Sequence, residues 1–168
     1  MALNWVMLDN SGRKPLPLPE EQMLCIVRRA SLQLEYAPQG ITYKAEGDAF
    51  VSSHRFVFVR QPRPNPADDA AVNSLSVPID HMQASKYTIP IFAAPYLQAD
   101  IYSVPQGGLP ERQPGDEYHP VGKLKLWFME SGGIAFRDAV DKAKLLWEQR
   151  RQAQLDEDAL PAYEPPAT

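Results

Sequence analysis

Proline placement is the feature that most constrains this chain. The 168 residues include 17 prolines but only nine glycines, and the prolines cluster at residues 15–19, 62–66, 105–120 and 161–166. Because proline lacks a backbone N–H, it cannot donate to a sheet ladder or continue a helix interior. These four stretches therefore predict loops and tails. The apolar residues lie between them in short pieces, which indicates a compact β-rich unit.

Length, charge and cysteine content narrow the class of protein. The length suits one domain with tails. The net charge of -4 and the pI near 5.4 predict no direct binding to nucleic acid, and binding to anionic lipid would need a local basic patch. With one cysteine, Cys25, and three scattered histidines, we expect no disulfide, no metal and no other cofactor. No apolar run approaches the roughly 20 residues of a membrane helix, so we expect a cytoplasmic or nuclear protein without a transmembrane segment.

Short runs of β-type residues dominate the middle of the chain. Leu32 and Leu34 alternate with polar neighbours, as in a half-buried strand, whereas the run at 55–60 is apolar on both faces. Residues 46–48 and 52–54 have turn chemistry. The predicted strands are 23–27, 31–36, 41–45, 49–52, 55–60, 75–79, 82–88, 96–103 and 122–129.

The period of the apolar residues changes after the glycine pair at 132–133. Helical spacing then predicts an amphipathic helix over about 136–152. The order of elements predicts a mostly β (α+β) fold, a pleckstrin-homology-like sandwich or barrel of about seven antiparallel strands capped by one C-terminal helix. We expect an extended arm over 1–22 pinned by Trp5, a domain over 23–154 and a disordered, acidic, proline-rich tail over 155–168. Four aromatic residues are assigned to the core: Trp127, Phe128, Phe136 and Trp147.

The tail contains a short pattern typical of a peptide ligand. Leu160, Pro161 and Tyr163 form L-P-x-Y, a variant of the P-P-x-Y motif that WW domains recognise. Proline favours the extended polyproline II conformation, which would place the Leu-Pro pair in an aromatic groove and Tyr163 in a neighbouring pocket. The alternative is a proline-rich tail without a binding role.

Several segments together form a recognisable pattern: GDAFVSSHRFVFV at 47–59, VPIDHM at 77–82, IPIFAAPYL at 89–97, LKLWFMESGGIAF at 124–136 and the opening MALN. They resemble the WW-domain-binding protein 2 family. The similarity covers about residues 30–149 and is to a short, fungal-type member. It implies a GRAM domain with the pleckstrin-homology-like fold and a tail that docks WW-domain partners, such as a ubiquitin ligase or a transcriptional coregulator. Leu160 stands where the family's usual motif has proline.

The resemblance also implies an alternative function, binding of phosphoinositide or another anionic lipid. The candidate cations near the first strands are Arg28, Arg29, Lys44, His54, Arg55 and Arg60. Cations at strand ends are more often solvated or paired with carboxylates such as Glu46. Ser53 and His54 are adjacent, but neighbours along a strand face opposite ways, so we interpret them as turn residues and expect no enzymatic activity.

Overall fold

The computed structural model describes residues 2–61, 72–104, 106–159 and 166–167. Short 3-10 turns at Ala37–Gln39 and Ile79–His81 connect strands. The strands and the helix are β1 (Ala2–Leu3), β2 (Met23–Tyr36), β3 (Ile41–Ser52), β4 (Arg55–Arg60), β5 (Ser74–Pro78), β6 (Met82–Thr88), β7 (Tyr96–Tyr102), β8 (Val121–Phe128) and α1 (Gly133–Asp158).

All eight strands belong to one antiparallel sheet. Their order is β1-β5-β4-β3-β2-β8-β7-β6. Apart from the two-residue β1, seven strands curl into a half-barrel, and α1 packs against β2, β3, β6 and β7. The predicted fold is therefore confirmed: it is mostly β and pleckstrin-homology-like, with one C-terminal helix.

The core lies between the concave face of the sheet and α1. In β2, Leu32 and Leu34 are buried while Gln33 and Glu35 face outward, as period-two alternation requires. From the helix, the fully buried Phe136 meets Phe56 edge-on at 6.0 Å between ring centroids. Its ring also lies 5.4 Å from that of Phe128. Burying a side chain of this size contributes about 2–3 kcal/mol, which anchors the helix to the sheet.

Two pairs of predicted strands are each one long strand. Residues 23–27 and 31–36 belong to β2, which continues through an irregularity where Arg29 has φ 54°. The predicted turn at 46–48 is wrong, because those residues lie inside β3. Gly47 is needed there for a close approach: a Cβ atom on it would lie only 2.1 Å from the carbonyl oxygen of Val59. The turn between β3 and β4, at Ser53 and His54, is confirmed.

The C-terminal helix differs from its prediction at both ends. It begins at Gly133 and continues to Asp158, so residues 155–158, which we expected to open the disordered tail, are helical. Phe128 and Phe136 are in the core, and Trp147 packs partly against it. Trp127 does not: its neighbours in the sequence are buried, and alternation places it on the outer face, half-buried.

The N-terminal arm covers the outer face of β3 and β4. Val6 and Leu8 pack against a second small cluster, Phe50, Val57 and Val59. This contact explains why β4 is apolar on both faces. Trp5 was expected to pin the arm, but it is 65% exposed, so that expectation is wrong.

Candidate functional site

The C-terminal motif follows a helix end that faces solvent. Leu160, Pro161 and Tyr163 lie outside the described residues. Every residue of the last stretch before them, 151–159, is exposed. Ala159 leaves the helix with φ -62° and ψ 127°, close to polyproline II geometry. The stretch that leads to the motif is thus accessible, and its last described residue, Ala159, has left the helix in an extended conformation.

Arg55 belongs to an ion pair within the domain. Its Nε donates to Glu21 Oε1 at 2.9 Å, and its Nη2 donates to the carbonyl oxygen of Leu16 at 2.8 Å. The side chains of Arg55 and Glu21 are 12% and 2% exposed. Burial alone would raise the pKa of Glu21, but hydrogen bonds from Arg55, from the Leu18 backbone N–H and from Ser52 outweigh it, so the pKa is lowered. An arginine held in this way is poorly placed to meet a lipid phosphate.

His54 is set in the neighbouring turn. Burial, followed by the positive charge of Arg150, lowers the pKa of His54 below its usual value of 6.5. The imidazole is therefore mostly neutral at pH 7 and contributes little charge toward an anion. Arg150 itself donates to the Ser53 carbonyl oxygen at 2.7 Å and ties α1 to this turn.

Ser53 and His54 do meet, contrary to the expectation from alternation. Ser53 Oγ lies 2.8 Å from His54 Nδ1, because the two residues sit in a turn rather than along a strand. Ser53 is only 4% exposed, and its Oγ also accepts a hydrogen bond from the Gln22 N–H at 3.0 Å. A catalytic serine must be reached by its substrate, so this contact is better explained as turn structure.

Arg28 and Arg29 lie at the irregularity in β2. Arg29 pairs with Glu130 at 2.9 Å, with both side chains more than half exposed. Arg28 instead lines a cavity of about 220 Å³ with Arg13 and Lys14 from the arm, and Asp48 is also in its wall. Arg60 is half-buried at the end of β4, opposite Gly47. These cations are thus distributed over separate surroundings rather than joined in one patch with Arg55 and His54.

Lys44 is on the outer face of the sheet, where strand register aligns it with two further lysines. Lys44 pairs with Gln33, Gln33 with Lys125, Lys125 with Gln98 and Gln98 with Lys86. Sequence reasoning missed Lys86 and Lys125. The alternation of lysine and leucine at 123–126 signalled an outward-facing strand, but only the register reveals that the lysines of different strands share a row.

Two further features concern membrane spans and metal sites in the described residues. No helix in that part of the chain is long and apolar enough to cross a bilayer. No group of three or more His, Cys, Asp or Glu side chains in the same part is arranged to hold a metal ion.

Comparison with known proteins gives a likeness in fold. No protein-family model matches this chain, and no curated protein matches it. Among solved structures, a chain of "The 8S snRNP Assembly Intermediate" matches with a TM-score of 0.51 and 12% sequence identity. The match covers 92% of this chain and 97% of the other. At that identity the two chains share the fold, and the likeness carries no further conclusion.

Proposed function

We propose that this protein is a non-enzymatic adaptor. In this role the pleckstrin-homology-like domain is a scaffold, and Leu160, Pro161 and Tyr163 dock a WW-domain partner. The partner classes that fit are ubiquitin ligases and transcriptional coregulators. The proposal is supported by the L-P-x-Y pattern together with the resemblance of residues 30–149 to the WW-domain-binding protein 2 family.

The exposed end of α1 is the observation that carries the proposal. Arg150 contacts the turn between β3 and β4, and the residues from 151 to 159 then extend away with exposed side chains. From Arg150 to Asp158 the helix rises about 12 Å, at 1.5 Å per residue. A partner that binds just beyond Ala159 would therefore meet little obstruction from the domain.

The proposed interface is small. A contact of four to seven residues buries far less than the roughly 1,200 Å² of a standard protein complex. Binding should accordingly be weak and transient, and it should strengthen when the partner carries several WW domains.

Titration of the full chain against a panel of isolated WW domains tests the proposal. We expect at least one domain to bind, and Tyr163→Ala to abolish that binding. Tyr118→Ala is the matched control, because Tyr118 is exposed in the connection between β7 and β8 and is distant from the motif in the sequence. If no domain binds, or if Tyr163→Ala binds as well as the unaltered chain, the proposal is wrong.

The alternative function, phosphoinositide binding by the six predicted cations, has weaker support than the adaptor role. Arg55 is engaged by Glu21, Arg29 is paired with Glu130, and His54 is mostly neutral at pH 7. A pocket for a multiply charged headgroup requires several cations that converge on one point, whereas these lie in different surroundings.

A further inference from the structure

The connection between β6 and β7 projects apolar side chains into solvent. Ile91 and Phe92 are 90% and 98% exposed, the highest values among the large apolar side chains of the described residues, and Ile89 is also exposed. Pro90 and Pro95 restrict the backbone, and the Phe128 N–H donates to the Pro95 carbonyl oxygen at 3.0 Å. The loop is therefore fastened to the sheet while its apolar tip stays outside the core. Exposed apolar groups held together in this way mark an interaction surface.

A row of aromatic residues follows directly behind this loop on the outer face. Tyr96 pairs with Trp127 across β7 and β8, and their ring centroids are 6.2 Å apart. Both rings are half-buried, and Lys125 Nζ lies 5.3 Å from the centroid of Tyr96. Tyrosine and tryptophan in such partly exposed positions suit the boundary between an apolar phase and water.

Next to the aromatic row, on the same outer face, lies a row of three lysines, called the lysine row below. Lys86, Lys125 and Lys44 occupy alternate strands, so neighbouring lysines are about 10 Å apart at a strand spacing near 4.8 Å. Two residues along a strand, about 7 Å, separate this row from the aromatic row.

Carboxylates are sparse in these two rows. On β2, β8, β7 and β6, the described positions of both rows hold no acidic residue. Glu46 lies in the aromatic row, but on β3. Glu35 and Asp100 lie one row further from the loop, where Asp100 pairs with Lys123 at 2.6 Å. Glu130, two residues after Phe128, is paired with Arg29 at 2.9 Å. The two rows are therefore locally basic on an acidic protein.

We propose that this surface docks on an anionic lipid membrane. Ile89, Ile91 and Phe92 enter the acyl region, Tyr96 and Trp127 lie at its boundary, and the three lysines face the headgroups. The spacing fits, because the headgroup layer of one leaflet is about 5–8 Å thick. A membrane suits this surface better than a protein groove, since the apolar residues form a projecting tip with cations set behind it rather than a concave or flat patch.

This surface shares no residue with the tail motif or with five of the six cations that the sequence suggested. Lys44 alone belongs to both sets. The proposal therefore goes beyond the adaptor role and does not depend on it: a WW partner could bind the tail whether or not the sheet meets a membrane.

Co-sedimentation of the full chain with vesicles tests the proposal. The vesicles are phosphatidylcholine with about 30 mol % phosphatidylserine, compared with phosphatidylcholine alone. We expect binding to the anionic vesicles that weakens between about 50 and 200 mM salt. The double change Ile91→Ser with Phe92→Ser should reduce the partition coefficient at least about tenfold. Lys86→Gln and Lys125→Gln should each reduce it about fivefold.

Matched controls alter exposed residues elsewhere. Tyr118→Ser lies at the opposite end of β7 and β8, and Lys142→Gln lies on α1; both should leave vesicle binding unchanged. Phe92→Trp gives a second readout: the chain already has three tryptophans, so its emission is compared with that of the unaltered chain, and the added emission should shift to the blue only with anionic vesicles. Tyr163→Ala should bind vesicles normally, which separates this test from that of the tail.

Several results would overturn the proposal. Absence of binding to anionic vesicles at low salt is sufficient. A loss confined to the lysine variants would mean that the loop does not insert and would favour an acidic protein partner. Equal losses in the control variants would mean that the surface is not specific. The altered side chains of the loop are exposed, so unchanged thermal unfolding should show that each loop variant is folded.

Discussion

Arg55 and Glu21 form a buried ion pair that joins the N-terminal arm to the turn between β3 and β4. The Nε to Oε1 distance is 2.9 Å, and Ser52 and the Leu18 N–H satisfy further oxygen lone pairs of the carboxylate. Removing one partner of such a pair leaves a buried charge without compensation, which is more costly than the pair's own net contribution. The pair therefore holds the arm in place over the sheet.

We predict that Glu21→Gln lowers the free energy of unfolding by about 3 kcal/mol at pH 7, because it leaves the guanidinium of Arg55 without its counter-charge. Urea denaturation followed by fluorescence measures this. Glu130→Gln is the control: its pair with Arg29 is exposed, so the change should be below about 1 kcal/mol.

The same pair makes a prediction about pH. The pKa of Glu21 is lowered in the folded protein from its ordinary 4.5, so its stabilising contribution is present above that value and is lost as the pH falls through the folded pKa. The difference in unfolding free energy between the unaltered chain and Glu21→Gln should therefore shrink as the pH is taken below about 4.5. A difference that stays constant down to acid unfolding would show that the carboxylate's charge is not involved.

We predict that Phe136→Ala destabilises the domain by about 3–5 kcal/mol, because it leaves a cavity between α1, Phe56 and Phe128. Ile134→Ala, two residues earlier and exposed, should cost less than about 0.5 kcal/mol. Thermal and urea unfolding measure the stability of both variants. Similar stabilities for the two would mean that the helix does not anchor the sheet through Phe136.

We predict that Gly47→Ala destabilises by about 2 kcal/mol or more, because the new methyl group would overlap the Val59 carbonyl and push β3 away from β4. Gly40→Ala provides the comparison. Its site is open but has φ +64°, so only the cost of left-handed backbone applies, about 1 kcal/mol. Equal stabilities of the two variants would contradict the close approach of the strands at Gly47.

Local patterns predicted the bounds of some elements well. The bounds of Met82–Thr88 and Arg55–Arg60 agree with the predicted strands, and the helix includes the predicted residues 136–152 but extends beyond them at both ends. The errors have physical causes. Gly47 has turn chemistry but serves a close contact between strands, which depends on a partner distant in sequence.

The two candidate surfaces differ in the same respect: one can be seen in the local sequence, and the other depends on strand pairing. The tail motif is a contiguous pattern that the sequence displays fully. The lysine row is not contiguous, since Lys44, Lys86 and Lys125 become neighbours only through the register of five strands. Exposure of Phe92 likewise depends on the loop's attachment at Pro95, which no local pattern contains.

Phosphorylation of Tyr163 should prevent docking of a WW domain. A phosphate group adds nearly two negative charges at pH 7, and an apolar tyrosine pocket cannot receive it without a large loss of solvation. We expect a tail peptide of residues 155–168 to bind at least about tenfold more weakly once phosphorylated. Tyr163→Phe is the matched control, since it keeps the ring and loses only the hydroxyl hydrogen bond, and it should weaken binding by about tenfold or less. Isothermal titration of the three peptides against one WW domain makes the comparison. If the phosphorylated peptide binds as well as the unmodified one, Tyr163 does not enter the pocket, and the docking geometry proposed for Leu160 and Pro161 fails with it.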